Sequence, residues 1–256
     1  MKKGLISSLC AASLILTAVS PVAVSAQENQ TTNEQSKKQK VNQEEVDKLV
    51  QLMAPYVRKT DDGKLYLDES FKDQEGATQE LFDSLNKELE QFEIPTEKPD
   101  NQSLGIMAEE DYLGDRTAQW KATMNANAEV IQEDFEDAKP GIYASPSAWA
   151  AYTTYRYVYF YDKVKYGGVW DFKARYSDPM NTTAKFNGEI ISIEEFGNIH
   201  YGYVGKAGGF GDEELKLAAG IAQKAAGSEW SFESYWDDPR DQENIEYGIE
   251  LYEDGF

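Results

Sequence analysis

Three short segments of this chain bring together side chains able to do chemistry. The first is Glu194-Glu195-Phe196-Gly197-Asn198-Ile199-His200-Tyr201-Gly202, which gathers two carboxylates, an amide, the only histidine and a tyrosine. A histidine beside a carboxylate can serve as general base and acid. The same residues also suit a tight glycine-bounded loop in which His200 packs or hydrogen-bonds locally. The second is the stretch 152–176, where Arg156, Lys163, Lys165, Lys173 and Arg175 face only Asp162 and Asp171, interleaved with seven tyrosines and Trp170. Flat rings and cations together suit a polymeric ligand of bases or sugars. The alternative is an amphipathic core element whose Lys and Arg stems pack while their heads reach water. The third is Trp236-Asp237-Asp238-Pro239-Arg240-Asp241-Gln242. Its aspartates offer oxygen ligands for a hard cation, but Asp238 and Asp241 also fit a helix cap and a first-turn anion.

Counts limit the chemistry further. The chain has 256 residues, a formal charge of -21, one cysteine and one histidine. One histidine excludes a paired-histidine zinc site, and one cysteine excludes an internal disulfide. The spacing of an EF-hand, a phosphate-binding Walker loop, a Gly-x-Ser-x-Gly elbow and a dinucleotide fingerprint are all missing. The sequence therefore implies no cofactor and no metal. The acidic balance opposes non-specific nucleic-acid binding, which depends on Lys and Arg neutralising phosphates. Residues 151–256 alone carry ten basic and nineteen acidic side chains. A polyanion would have to meet the basic stretch at 152–176.

The elements that must position these residues follow a mainly α (α+β) pattern. Residues 1–26 read as a signal peptide: Lys2 and Lys3, an apolar run from Leu5 to Val24, then Val24-Ser25-Ala26 as a cleavage site. Cleavage removes Cys10 and takes the charge to -23. No later run approaches the ~20 apolar residues needed to cross a bilayer, so the expectation is a secreted chain without stable membrane insertion. Residues 27–44 are polar and predict a disordered leader. Residues 45–93 predict a small helical module, with helices near 46–53 and 78–92 and a short strand at 64–67. Residues 94–110, with two prolines, predict a linker.

From 111 to 256 the sequence predicts a helical domain with a small β-hairpin. Helices are expected at 120–138, from Ser145-Pro146, from a cap at Asp212, and from a cap at Asp238 with Pro239 in the first turn. Tyr155 to Tyr161 could continue the second of these or form a strand. Asn187-Gly188 between apolar residues marks the hairpin turn.

These blocks resemble the polymorphic toxin type 44 (bacterial toxin 44) domain over about residues 125–256. Gly167-Gly168-Val169-Trp170-Asp171-Phe172-Lys173 is similar to a run in that family. Phe196-Gly197-Asn198 with Tyr201-Gly202 matches its Phe-Gly-Asn-x-x-Tyr-Gly segment, and Ala219-Gly220-Ile221-Ala222-Gln223 its Ala-Gly-x-Ala-Gln helix. Asp237 to Gln242 and Ile245 to Ile249 match its closing blocks. The resemblance implies a toxin with RNase activity, RNA as substrate and an immunity protein as partner. His200 or Glu195 would then act as base on the ribose hydroxyl, with Lys173 steadying the phosphate. Asn198 and Asp238 join the candidate site because they stand in the matching blocks. A wall-glycan hydrolase is the second reading, with two carboxylates drawn from Asp171, Glu195 and Asp238. The third is a non-enzymatic secreted interaction protein in which the motifs only hold loops and caps.

Overall fold

A computed structural model of the chain describes residues 41–95, 112–216, 218 and 239–256. The segment 1–26 expected to be a signal peptide, nearly all of the expected leader, most of the expected 94–110 linker and the Ala219–Gln223 block lie outside the described residues. Two compact units divide the chain. One holds the described residues up to Glu93 with Lys139–Tyr155, the other those of Ile94–Ala138 and Arg156–Phe256. The fold is mainly α with small sheets.

In the first unit, helix α1 (Gln43–Met53) starts where the Asn42 side chain accepts the Glu44 N–H. Strands β1 (Val57–Lys59) and β2 (Leu65–Leu67) pair antiparallel, Val57 opposite Leu67. Gly63, at φ 95°, takes the turn between them. Helix α2 (Gln79–Leu89) is capped by Thr78, whose hydroxyl accepts the Leu81 N–H. The Asn86 side chain of α2 accepts the Leu67 N–H at 2.8 Å, tying helix to hairpin. Val46, Val50, Met53, Leu65, Phe71, Leu85 and Leu89 fill the space between them.

The second unit begins with β3 (Tyr112–Asp115), which runs parallel to β4 (Thr183–Phe186), itself antiparallel to β5 (Glu189–Ser192). The β4–β5 turn is the predicted hairpin, with Asn187 at φ 48° and Gly188 at φ 96°. Helix α3 (Thr117–Ala138) places Trp120, Met124, Ala128, Ile131 and Phe135 on its buried face. Helix α4 (Pro146–Val164) opens where Ser145 Oγ accepts the Ala148 N–H, and the division between the units falls within it. Tyr155 to Tyr161 is helical, which resolves the helix-or-strand ambiguity. Val158, Tyr159, Phe160 and Lys163 are all buried, so the segment shows no single polar face for periodicity to report.

Helix α5 (Ile193–Ala207) replaces the predicted loop at 194–202. Its start is a capping box: Ser192 Oγ accepts the Glu195 N–H at 3.1 Å and Glu195 accepts the Ser192 N–H at 2.7 Å. The glycines that suggested a loop serve packing instead. Helix α6 (Pro239–Glu253) crosses α5 so closely that a Cβ on Gly202 would stand 2.1 Å from the Ile245 carbonyl oxygen. A Cβ on Gly248 would stand 2.0 Å from the Ile199 carbonyl oxygen. After α5, Gly209 at φ 76° turns the chain into a helical turn at 212–216. Its cap is Gly211 rather than the predicted Asp212: the Leu215 N–H bonds the Gly211 carbonyl and Glu214 accepts the Gly211 N–H. Asp212 instead pairs with Lys206, which also holds Glu253 of α6.

This packing sets opposite outcomes for neighbouring glycines. Gly202→Ala and Gly248→Ala each force two backbones apart and lower stability by about 3 kcal/mol or more. Gly197→Ala meets only the Lys173 stem, at 3.4 Å, and leaves stability unchanged or raises it by up to ~1 kcal/mol. Urea unfolding of the three variants checks the contrast; equal losses at all three would contradict it.

Candidate functional site

The capping box starts α5 at Ile193, so Glu194, Gly197, Asn198 and Tyr201 follow one another along a single face. Onto this face folds the short 3-10 turn Lys173–Arg175. The aliphatic stem of Lys173 lies over Gly197, where no Cβ obstructs it, and its Nζ stands 3.7 Å from Glu194 Oε1. Both side chains are partly exposed, at 35% and 28%. One turn along α5, Asn198 Nδ2 donates to Asp241 Oδ1 at 2.6 Å. Asp241 is buried in the first turn of α6. That bond fixes the direction of the Asn198 amide. Three matched blocks thus meet: the turn after Trp170, the α5 face and the start of α6.

The remaining predicted residues have other uses. Asp171 is buried; its Oδ2 accepts the Gly167 N–H at 2.9 Å and its Oδ1 the Ala174 N–H at 3.3 Å. It therefore pins the glycine turn, with Gly167 at φ 75°, to the turn that bears Lys173. Glu195 is committed to the α5 cap, which directs its carboxylate at backbone. Asp238 lies outside the described residues.

His200 is 1% exposed and enclosed by rings: Phe172 at 4.7 Å and Trp170 and Phe196 at 6.2 Å. Its Nε2 lies 2.8 Å from Asn127 Nδ2 on α3. An amide NH2 only donates, so Nε2 accepts and the imidazole is neutral. Burial, helped by the nearby Arg175 charge, pushes its pKa down from 6.5 to about 3. A base this weak and this enclosed has no route to a substrate proton.

The basic stretch is mostly spent inside the unit. Arg156 donates to the Gly208 carbonyl at 2.6 Å and lies over Phe135 and Phe210. Lys163 is buried, its Nζ 5.1 Å from the Tyr159 ring centroid and 5.6 Å from that of Trp170. Lys165 pairs with Asp162 at 2.6 Å. Arg175 donates to the Val169 carbonyl at 2.5 Å and stacks on Phe172. Packing stems, rather than a polyanion groove, explain most of this segment.

Glu194 and Asp241 were not among the predicted site residues. The signal for Glu194 was present: Ser192-x-x-Glu195 is a capping-box pattern, and a helix from 193 puts Glu194 and Asn198 four residues apart on one face. Asp241 was assigned only to the helix start, because its partner lies 43 residues away. Among the described residues, no group of three or more His, Cys, Asp or Glu is arranged to hold a metal ion. No helix among them is long and apolar enough to cross a membrane.

The depressed His200 pKa makes the fold acid-sensitive. Between 6.5 and about 3 the unfolded chain takes up a proton that the folded chain refuses. Stability is therefore full above pH 6.5 and falls as the pH drops, by at most about 1.4 kcal/mol per pH unit. His200→Gln flattens this part of the curve, read from urea midpoints at successive pH values. A variant curve as steep as the parent's would contradict the neutral, buried histidine.

Against known proteins, residues 159–254 match the family model described as Bacterial toxin 44. The matched segment contains the Lys173 turn, α5 and α6. No curated protein and no solved structure matches the chain. Over residues 159–254 the chain is thus similar to bacterial toxin 44.

Proposed function

We propose that this toxin-like chain is a hydrolase that cleaves RNA from the face formed by Lys173, Glu194, Asn198 and Asp241. The observation that carries the reading is the partly exposed Lys173–Glu194 pair, set beside an amide oriented by a buried carboxylate. Phosphodiester cleavage by an internal ribose hydroxyl needs a base for that hydroxyl and positive charge for the phosphorane oxygens. Glu194 takes the proton of the 2′-hydroxyl as the hydroxyl oxygen bonds to phosphorus and the bond to the 5′-oxygen breaks. The same proton then passes to the leaving 5′-oxygen, and Lys173 supplies the charge. Asn198 orients the backbone of the substrate through its amide. Glu194 takes the base role because His200 is buried and Glu195 is held in the α5 capping box. The reading includes export by the N-terminal signal and a dedicated immunity protein as partner.

Incubation of the chain from Gln27 with total RNA tests it. Glu194→Gln and Lys173→Ala each lower the cleavage rate about 100-fold or more while the melting temperature holds. Intact RNA at stoichiometric protein would overturn the reading.

A second reading is favoured by one observation: Arg156, Lys163, Lys165 and Arg175 are engaged in packing and pairing within an acidic domain. An uncharged wall glycan would suit that field better, with Glu194 and Asp241 as the carboxylates. Release of reducing ends from isolated cell walls, lost in Glu194→Gln and Asp241→Asn, separates this outcome from RNA cleavage.

A further inference from the structure

The only histidine of the chain has no access to a substrate, yet it stands where α3, α5 and the segment leading into the Lys173 turn meet. On one side its Nε2 accepts from Asn127 of α3. On the other its ring meets Phe172 edge-on, with centroids 4.7 Å apart. Phe172 also packs edge-on against Phe196 of α5, at 4.9 Å, and carries the Arg175 guanidinium on its face at 4.5 Å. Phe172 directly precedes Lys173. Wherever Phe172 seats, the start of the 3-10 turn and the Lys173 stem over Gly197 must follow. The bonds Asp171 accepts from Gly167 and Ala174 are local to the turn, and Lys173 itself meets α5 only at the partly exposed Glu194 and over Gly197.

We propose that His200 is a positioning residue. Anchored to Asn127, its imidazole forms the buried platform that seats Phe172 and so sets Lys173 against Glu194. An apolar ring of the same size would fill the volume but leave the Asn127 amide without its acceptor and free the platform to turn. Glutamine preserves an acceptor able to meet Asn127. The proposal deepens the RNA-cleaving reading and rests on it for the catalytic consequence, whereas the placement of the turn is testable without any activity.

The experiment combines amide NMR with cleavage kinetics on the chain from Gln27, using total RNA as substrate, for His200→Ala, His200→Gln and Asn127→Ala. Expected are shift changes concentrated at 170–175 and at Glu194 and Gly197 in His200→Ala and Asn127→Ala, with Gly202 and Gly248 signals unmoved. kcat falls about 10- to 100-fold with KM within twofold, the range expected for a misplaced group. His200→Gln restores most of both. Asn127→Ala and His200→Gln carry the test if His200→Ala does not fold.

Unmoved signals at 170–175 in Asn127→Ala and in every folded His200 variant would overturn the proposal. So would a parent pH–rate profile with a limb between 6 and 7 that vanishes in His200→Gln, because that limb marks a titrating catalytic histidine. Displaced signals without RNA cleavage by the parent would uphold the positioning and refute only the RNase reading.

Discussion

The contact on which the second unit depends is the crossing of α5 and α6, where backbone meets backbone. Gly202 faces the Ile245 carbonyl and Gly248 faces the Ile199 carbonyl, each with room for a hydrogen and no more. A helix pays about 1 kcal/mol per interior glycine in lost propensity, so two such positions demand a compensating gain. Here that gain is close packing along the whole crossing, with Ile199, Ile245 and Ile249 buried around it. It also has a chemical consequence. Only at this separation can Asn198 reach Asp241, and that bond brings the start of α6 to the α5 face that meets the Lys173 turn.

Around this crossing the polar residues sort by depth. His200 and Asp171, both buried, serve the architecture: one bonds α3, the other binds the backbone of a turn. Glu195 completes the capping box that starts α5. What stays accessible is a short strip of Lys173, Glu194 and Asn198, backed by Asp241. The acidic field of this unit repels a polyanion at long range, so recognition would rely on contacts in the strip itself.

Much of the fold was legible because its signals are local. Thr78 and Ser145 act through bonds to backbone N–H groups three residues on and Asn187-Gly188 through its own positive φ angles, and each element begins or turns where those residues indicate. The mainly α class followed from the same signals. The α5 helix was hidden because its glycines answer to α6 and to Lys173, partners distant in sequence, while in isolation they imitate a loop. Strand β3 was hidden for a related reason: its partner β4 lies some seventy residues on, and four residues show little periodicity. The candidate site was half legible. Lys173 and Asn198 stand in the blocks that resemble the toxin family. The exclusion of His200 and Glu195, and the recruitment of Glu194 and Asp241, needed the helix and its crossing.

The most direct test of the strip as the working surface is an NMR titration of the chain from Gln27 with a 2′-O-methyl oligoribonucleotide, which lacks the attacking hydroxyl. The expected result is perturbation of the Asn198 side-chain amide and of the backbone amides of Lys173, Glu194 and Gly197, with the His200 ring signals unmoved. Perturbations centred on another surface, or none at saturating oligonucleotide, would contradict it.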